Sequence, residues 1–193
     1  GTVILQSDGT ARPFLYQHGQ LTLLQPPHSA WAPATGLNAR GELIGQSWTA
    51  EGDCICGFVW RDGTWEALRG PVQNQQTMPL AINDAGTVVG WADVVVGRHA
   101  QRKAMRWAHG KMHTLPDLGG RSNEAHGINA QGDIVGRAQL RGSFNAHAVV
   151  YHQGQLIDLD DDPDSDSVAH AINAAGQAVG ERSQHTRNGA FRS

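Results

Sequence analysis

The stretch Ala81-Ile82-Asn83-Asp84-Ala85-Gly86-Thr87-Val88-Val89-Gly90 decides the fold of this 193-residue chain. Its opening recurs as Gly36-Leu37-Asn38-Ala39-Arg40-Gly41, Gly127-Ile128-Asn129-Ala130-Gln131-Gly132 and Ala171-Ile172-Asn173-Ala174-Ala175-Gly176. The asparagines stand 45, 46 and 44 residues apart. Asn followed three residues later by Gly is turn chemistry: the side chain caps the backbone two residues on, and Gly takes positive φ. Each turn leads into a short apolar run closed by a second glycine, at Gly45, Gly90, Gly136 and Gly180. That glycine either makes room for a large neighbour, such as the aromatic of the next strand, or marks a bulge. The small residue before Ile or Leu points to close backbone approach.

Working outward, Phe58-Val59-Trp60, Met105-Arg106-Trp107, Val149-Val150-Tyr151 and Phe14-Leu15-Tyr16 each end in an aromatic. A glycine follows three residues later, and then a strand carrying Leu21, Trp65, Met112 or Leu156. The unit therefore reads strand a, turn, strand b, loop, strand c, turn, strand d. Short strands with frequent turn signals predict an all-β protein. Four strands in about 45 residues is the arithmetic of a β-propeller blade. Another closed or stacked β array, and a β-trefoil, share parts of it. The expected architecture is a β-propeller-like array of about five four-stranded repeats, with incomplete units at both ends. The units run over 1–32, 33–77, 78–123, 124–167 and 168–193, all in one repeat domain. Gly1 to Leu5 fits strand b of the first unit, with Gly1 as the opening glycine. The length is not a whole number of units, which points to a piece of a longer array whose open strand edges could pair.

Composition agrees. Glycine, 24 residues or about 12% of the chain, exceeds the usual roughly 7%. It lacks the three-residue period of collagen. No apolar run approaches the ~20 residues of a spanning helix, so membrane insertion is not expected. Net charge is −3 and the 13 arginines are scattered, which argues against a nucleic-acid partner. Gly1-Thr2-Val3-Ile4-Leu5 has neither the charged region nor the cleavage site of a signal peptide. Cys54 and Cys56, one residue apart, read as free thiols, because a bond across a single residue is strained.

The pattern A-x-x-I-N-x-x-G-x-V-V-G, followed by H-A-F-x-W-x-x-G, resembles the HAF repeat, a probable extracellular repeat of bacterial proteins. His147-Ala148-Val149-Val150-Tyr151 matches its His-Ala-Phe element best, while Lys103-Ala104-Met105 and Cys56-Gly57-Phe58 depart at the histidine. The resemblance implies a secreted, periplasmic or cell-surface propeller-like array. It brings no catalytic residues, because the signature is made of turn and core positions.

Each unit serves as a control for the others: shared residue types are structural, and function sits where units differ. Trp60, Trp65 and Trp107 occupy shared apolar positions and belong to the core. Trp31, Trp48 and Trp91 do not. Trp91 aligns with Gln46, Arg137 and Glu181, and with Gln6 in the first unit. Trp48 aligns with Asp8, Asp93, Gln139 and Ser183. These tryptophans either stack on a ligand or pack loops against a sheet edge. His126 and His170 share a slot held elsewhere by Thr35 and Leu80, where they could face a channel and meet an anion or metal, or simply be hydrogen-bonded. The segment 158–166 holds six of the 13 aspartates. Asp160, Asp162, Asp164 and Asp166 alternate as Ca²⁺ ligands do, or form a solvated loop. No nucleophile elbow, phosphate loop or zinc-protease motif occurs. The expected function is a non-enzymatic extracellular module with no cofactor, Ca²⁺ apart. It would bind glycan or protein through Trp48, Trp91, Gln46, Arg137, Glu181, His126 and His170. The alternatives are a structural fragment that forms homo-oligomers through open edges, and a lyase or hydrolase using channel histidines.

Overall fold

The computed structural model describes residues 1–6, 9–27, 29–49, 55–71, 75–185 and 191–192. No helix occurs among them, and the chain is all-β. The first unit contains β1 (Thr2–Ile4), β2 (Ala11–Gln17) and β3 (Gln20–Leu23). The second begins ahead of the expected boundary at 33, because β4 pairs with β6, and contains β4 (Ser29–Trp31), β5 (Ala34–Leu37), β6 (Leu43–Thr49), β7 (Ile55–Arg61) and β8 (Thr64–Leu68). The third contains β9 (Thr77–Ile82), β10 (Val88–Val96), β11 (His99–Ala108) and β12 (Lys111–Thr114). The fourth contains β13 (Gly119–Ile128), β14 (Ile134–Leu140), β15 (Ala146–His152) and β16 (Gln155–Asp158). The fifth contains β17 (Ser165–Ile172), β18 (Ala178–His185) and β19 (Phe191–Arg192). Within each unit neighbouring strands pair antiparallel. Single parallel bridges, Ala11 to Trp31 and Arg102 to Ser122, join units into larger sheets. None of the sheets closes on itself among the described residues.

Strand a of the second unit is broken into β4 and β5 at Ala32-Pro33. The third unit has a hairpin where a loop is expected. There β10 and β11 stay paired out to Val96 and His99, because Val94-Val95-Val96 continues the strand and Gly97, at φ 65°, turns it.

The closing glycine marks a bulge. Register shifts fall beside Gly90, and opposite Gly45, Gly136 and Gly180. A Cβ at Gly90 would sit 1.8 Å from the Met78 carbonyl oxygen, and one at Gly136 1.9 Å from that of Glu124. The constraint is the backbone of strand a. At Gly45 the Phe58 ring adds to it, 2.6 Å from the same Cβ position. Gly1 meets the same kind of neighbour: it exchanges hydrogen bonds with Phe14, and its Cβ would lie 2.2 Å from that ring. The register thus makes Gly1 the closing glycine, not the opening one. The first unit's counterpart of Gln46, Trp91, Arg137 and Glu181 is Thr2, not Gln6.

The Asn turns stack into a ladder. Asn38 Nδ2 donates to the Asn83 carbonyl (3.0 Å), Asn83 Nδ2 to that of Asn129 (2.9 Å), and Asn129 Nδ2 to that of Asn173 (3.3 Å). Each Oδ1 accepts the N–H four residues on, at Glu42, Thr87, Asp133 and Gln177. One carboxamide therefore shapes its own turn and fastens the next unit.

Core packing lies in the seams between units. Leu24, Ala32, Leu43 and Phe58 bury one seam. Ile44, Val59, Val88, Met105 and Trp107 bury the next. Val89, Ala125, Ile134, Val149 and Tyr151 bury the third. The paired apolar residues of strand b alternate in direction, so Leu43 serves one seam and Ile44 the other. Each such side chain contributes about 1.5–3 kcal/mol when fully buried.

Each inner seam also carries a buried polar rivet. Thr77 Oγ1 accepts the Gly57 N–H (2.6 Å) and donates to the Leu68 carbonyl (2.8 Å). Asn123 accepts from Ala104 (3.2 Å) and donates to the Pro116 carbonyl (3.0 Å). Ser167 accepts from Ala148 (2.9 Å) and donates to Asp160 (2.7 Å). At the first seam the equivalent residues are Pro13, which has no N–H, and Ala32, which has no polar side chain.

Candidate functional site

Several residues that differ between units meet on strands a, b and c of the third to fifth units. The Arg102 guanidinium lies 3.7 Å from the Trp91 ring centroid, a cation–π contact. Its Nη1 donates to Glu124 Oε1 at 2.7 Å. Glu124 Oε2 is 3.0 Å from His126 Nε2. The His126 ring stacks on that of His170, with centroids 5.8 Å apart and planes at 24°. His170 Nε2 is 3.4 Å from Glu181 Oε1. The result is a continuous row, Trp91–Arg102–Glu124–His126–His170–Glu181, crossing two seams. The hydrogen bond with His126, with the hydrogen bond and charge of Arg102, outweighs burial and lowers the Glu124 pKa to about 2.

Arg137, paired across the strands with Glu124, reaches the fifth unit, where Nη2 is 3.3 Å from Asp166 Oδ1. It borders a cleft of about 290 Å³ lined by Asp166, Ser167, Val168, Glu181, Arg182 and Ser183. His126, His170, Arg137 and Glu181 are thus brought together. Gln46 is not among them: it is buried, and its Nε2 lies 3.4 Å from the Thr77 carbonyl. Trp91, only 7% exposed and covered by Arg102, is a pedestal for that guanidinium rather than an open stacking face. Trp48 stands apart on β6, half-buried, with Trp31 as its cross-strand partner. Arg102 and Glu124 were missed at the sequence level. Their equivalents are Ile55 and Ala146 for Arg102, and Pro33, Met78 and Val168 for Glu124. Comparing units for charge as well as for aromatics finds both.

The acidic loop is tied down by its own chain. Buried Asp160 accepts Arg182 Nε at 3.0 Å and the hydroxyls of Ser165 (2.5 Å) and Ser167 (2.7 Å). Burial works to raise its pKa, but Arg182 and the two hydroxyls hold it well below the carboxylate range. Arg182 thus supplies the positive charge beside Asp160. Asp166 accepts from Arg137 and the Ala146 N–H, while Asp162 and Asp164 make turn contacts. Among the described residues no group of three or more His, Cys, Asp and Glu side chains converges as a metal needs. The stacked His126 and His170 each place Nε2 beside a carboxylate, that of Glu124 and that of Glu181.

The histidine of the His-Ala-Phe element is structural. His147, 3% exposed, contacts Asp158 through Nδ1 (2.9 Å) and the Asp162 carbonyl through Nε2 (3.1 Å). Lys103, its equivalent, contacts Asp117 (2.7 Å) and the Gly120 carbonyl (3.2 Å). In both units a strand c donor clamps the loop that follows strand d. In the second unit the equivalent is Cys56, which is disulfide-bonded. This corrects the free-thiol expectation. Cys54 and Asp8 lie outside the described residues.

No protein-family model matches the chain, and a search of curated proteins finds no match. No helix among the described residues is long and apolar enough to cross a membrane.

Proposed function

We propose that this protein is a non-enzymatic binding module, a propeller-like array of HAF-type units working outside the cytoplasm. It presents the His126–His170 row and the adjoining Arg137 cleft to a glycan or protein. One observation carries the reading: six positions where the units differ, Trp91, Arg102, Glu124, His126, His170 and Glu181, form one continuous row. The cleft offers guanidinium, carboxylate and hydroxyl groups, the set that recognises a hydroxyl-rich sugar unit. The row's histidines are bonded to carboxylates, not to a hydroxyl or thiol that they could activate. The disulfide at Cys56 supports an oxidising compartment.

A glycan array screen, followed by titration of tryptophan fluorescence against the best binder, tests this. Arg137→Ala and His170→Ala are expected to weaken binding at least about tenfold, equivalent to about 1.4 kcal/mol each. Unchanged affinity in both variants, with the fold intact by circular dichroism, removes the site assignment.

A further inference from the structure

The loop between strands b and c of the fourth unit holds out a side chain that the fold does not use. Phe144 is 100% exposed. Its loop is nonetheless fixed. The Leu140 N–H donates to the Asn145 carbonyl (3.0 Å), Ser143 Oγ accepts the Asn145 N–H (3.0 Å), and Gln139 Nε2 donates to the Ser143 carbonyl (2.7 Å). Asn145 Nδ2 ties the loop to the Pro163 carbonyl (2.8 Å). None of these bonds involves the ring, and an aromatic ring left in water forgoes its burial energy. The loop is therefore built to present it.

Beside the ring opens a groove of about 410 Å³, between the start of β13 and the end of β14. Gly119, Gly120 and Gly142 line it without side chains, and Arg121, Gln139 and Ser143 supply polar groups. Gly120 fits only without a Cβ, which would lie 2.3 Å from the Gln139 carbonyl oxygen. Ser143 Oγ accepts one hydrogen bond, and its O–H has no acceptor among the described residues. Arg121 and Arg141 are exposed and have no ion-pair partner among the described residues. Asp117, the carboxylate that feels the Arg141 charge, is already neutralised by Lys103 at 2.7 Å. The groove is thus locally cationic in a chain of net charge −3.

A flat apolar face, two guanidinium groups without partners and a hydroxyl donor border one concave site. We infer that it binds an acidic glycan, a chain of uronic acid units. The C–H face of the sugar ring stacks on Phe144, the carboxylate takes the fork of Arg121, and ring hydroxyls meet Ser143 and Gln139. Arg141 adds positive charge beside the carboxylate. An acidic peptide added as a strand fits less well, because Gln139 Oε1 already accepts the Arg121 N–H at 3.0 Å. A flat anionic bilayer makes no use of a concave groove with a hydroxyl donor. The groove shares no lining residue with the Arg137 cleft, and the inference does not rest on the function proposed for that cleft.

The test titrates the intact protein with trisaccharides of galacturonate, glucuronate, mannuronate and guluronate. At least one is expected to bind, with amide NMR shifts at 119–121 and 139–145. Its methyl ester is expected to bind at least about tenfold more weakly. Arg121→Gln is expected to weaken the acid at least about tenfold and to leave the ester unchanged, whereas Phe144→Ala weakens both. Both side chains are exposed, so neither change reaches the core. No binding by any of the trisaccharides, equal affinity of acid and ester, parental affinity in either variant, or shifts confined to the Arg137 cleft each overturn the proposal. Binding to phosphatidylglycerol vesicles, with no uronate bound, assigns the groove to a membrane surface and overturns it too.

Discussion

At the first seam Pro13, which has no N–H, stands with Ala32, which has no polar side chain. At the next three, Gly57, Ala104 and Ala148 present an N–H that Thr77, Asn123 and Ser167 accept. The difference teaches that the seam is matched as a pair. A buried N–H without an acceptor costs about 1–3 kcal/mol, and so does a buried polar side chain without a partner. Proline removes the first cost and alanine the second. A chain that mixed the two solutions at one seam would incur one of them.

The comparison can be broken most severely at the third seam. Asn123→Ala is expected to cost about 3 kcal/mol, because the Ala104 N–H loses its acceptor in a fully buried site. A fall in the urea midpoint at unchanged slope checks this. The clamp between strand c and its loop comes next. His147→Ala is expected to cost about 2 kcal/mol, whereas His147→Lys costs less than about 1 kcal/mol, because Lys103 makes the same pair of contacts one unit earlier. Equal melting of the two variants would show that the slot needs the ring and not a donor. Ala32→Thr is expected to cost about 2 kcal/mol by placing a hydroxyl beside Pro13, and Pro13→Ala in that background is expected to recover about 1 kcal/mol. A double-mutant cycle with no coupling would separate the two residues.

The smallest effect is read by pH. The Glu124 carboxyl is lowered from 4.5 to about 2 in the folded protein, so its contribution is fully present above about 4.5. It is lost as pH falls towards about 2, since the unfolded chain takes up the proton first. Glu124→Gln is expected to flatten the loss of stability over that window in thermal melts. A slope identical to that of the parent would mean that the row adds nothing to the seam.

Much of this fold could be read beforehand, and the reason is repetition. Asn-x-x-Gly turns, small residues ahead of Ile and aromatics closing strand c recur, so local chemistry and spacing reinforce each other. The seam residues followed less readily. Thr77, Asn123 and Ser167 are three different types, and their equivalence appears only once the register fixes which strand c N–H each meets. Gly1 was misplaced because a glycine opens strand b in one role and closes it in another. The ring of Phe14 decides between them. The candidate site was legible in part: His126, His170, Arg137 and Glu181 stood out as departures. Gln46 and Trp91 also departed, yet Gln46 is buried against Thr77 and Trp91 lies under Arg102, since a departure can suit a neighbour as well as a ligand. In the acidic loop ligand type alone did not show that Arg182 pairs with Asp160, because that partner is fixed only by the register of the fifth unit.

The Asn ladder has a mechanical consequence. Every rung donates in the same chain direction, and each joins turns 44 to 46 residues apart. Tension applied at the two ends loads the rungs in series, so the weakest yields alone. Extension would then proceed in steps, each releasing about 45 residues and roughly 150 Å of contour. A molecule fastened this way behaves as a row of fuses: one unit can open and dissipate load while its neighbours stay folded.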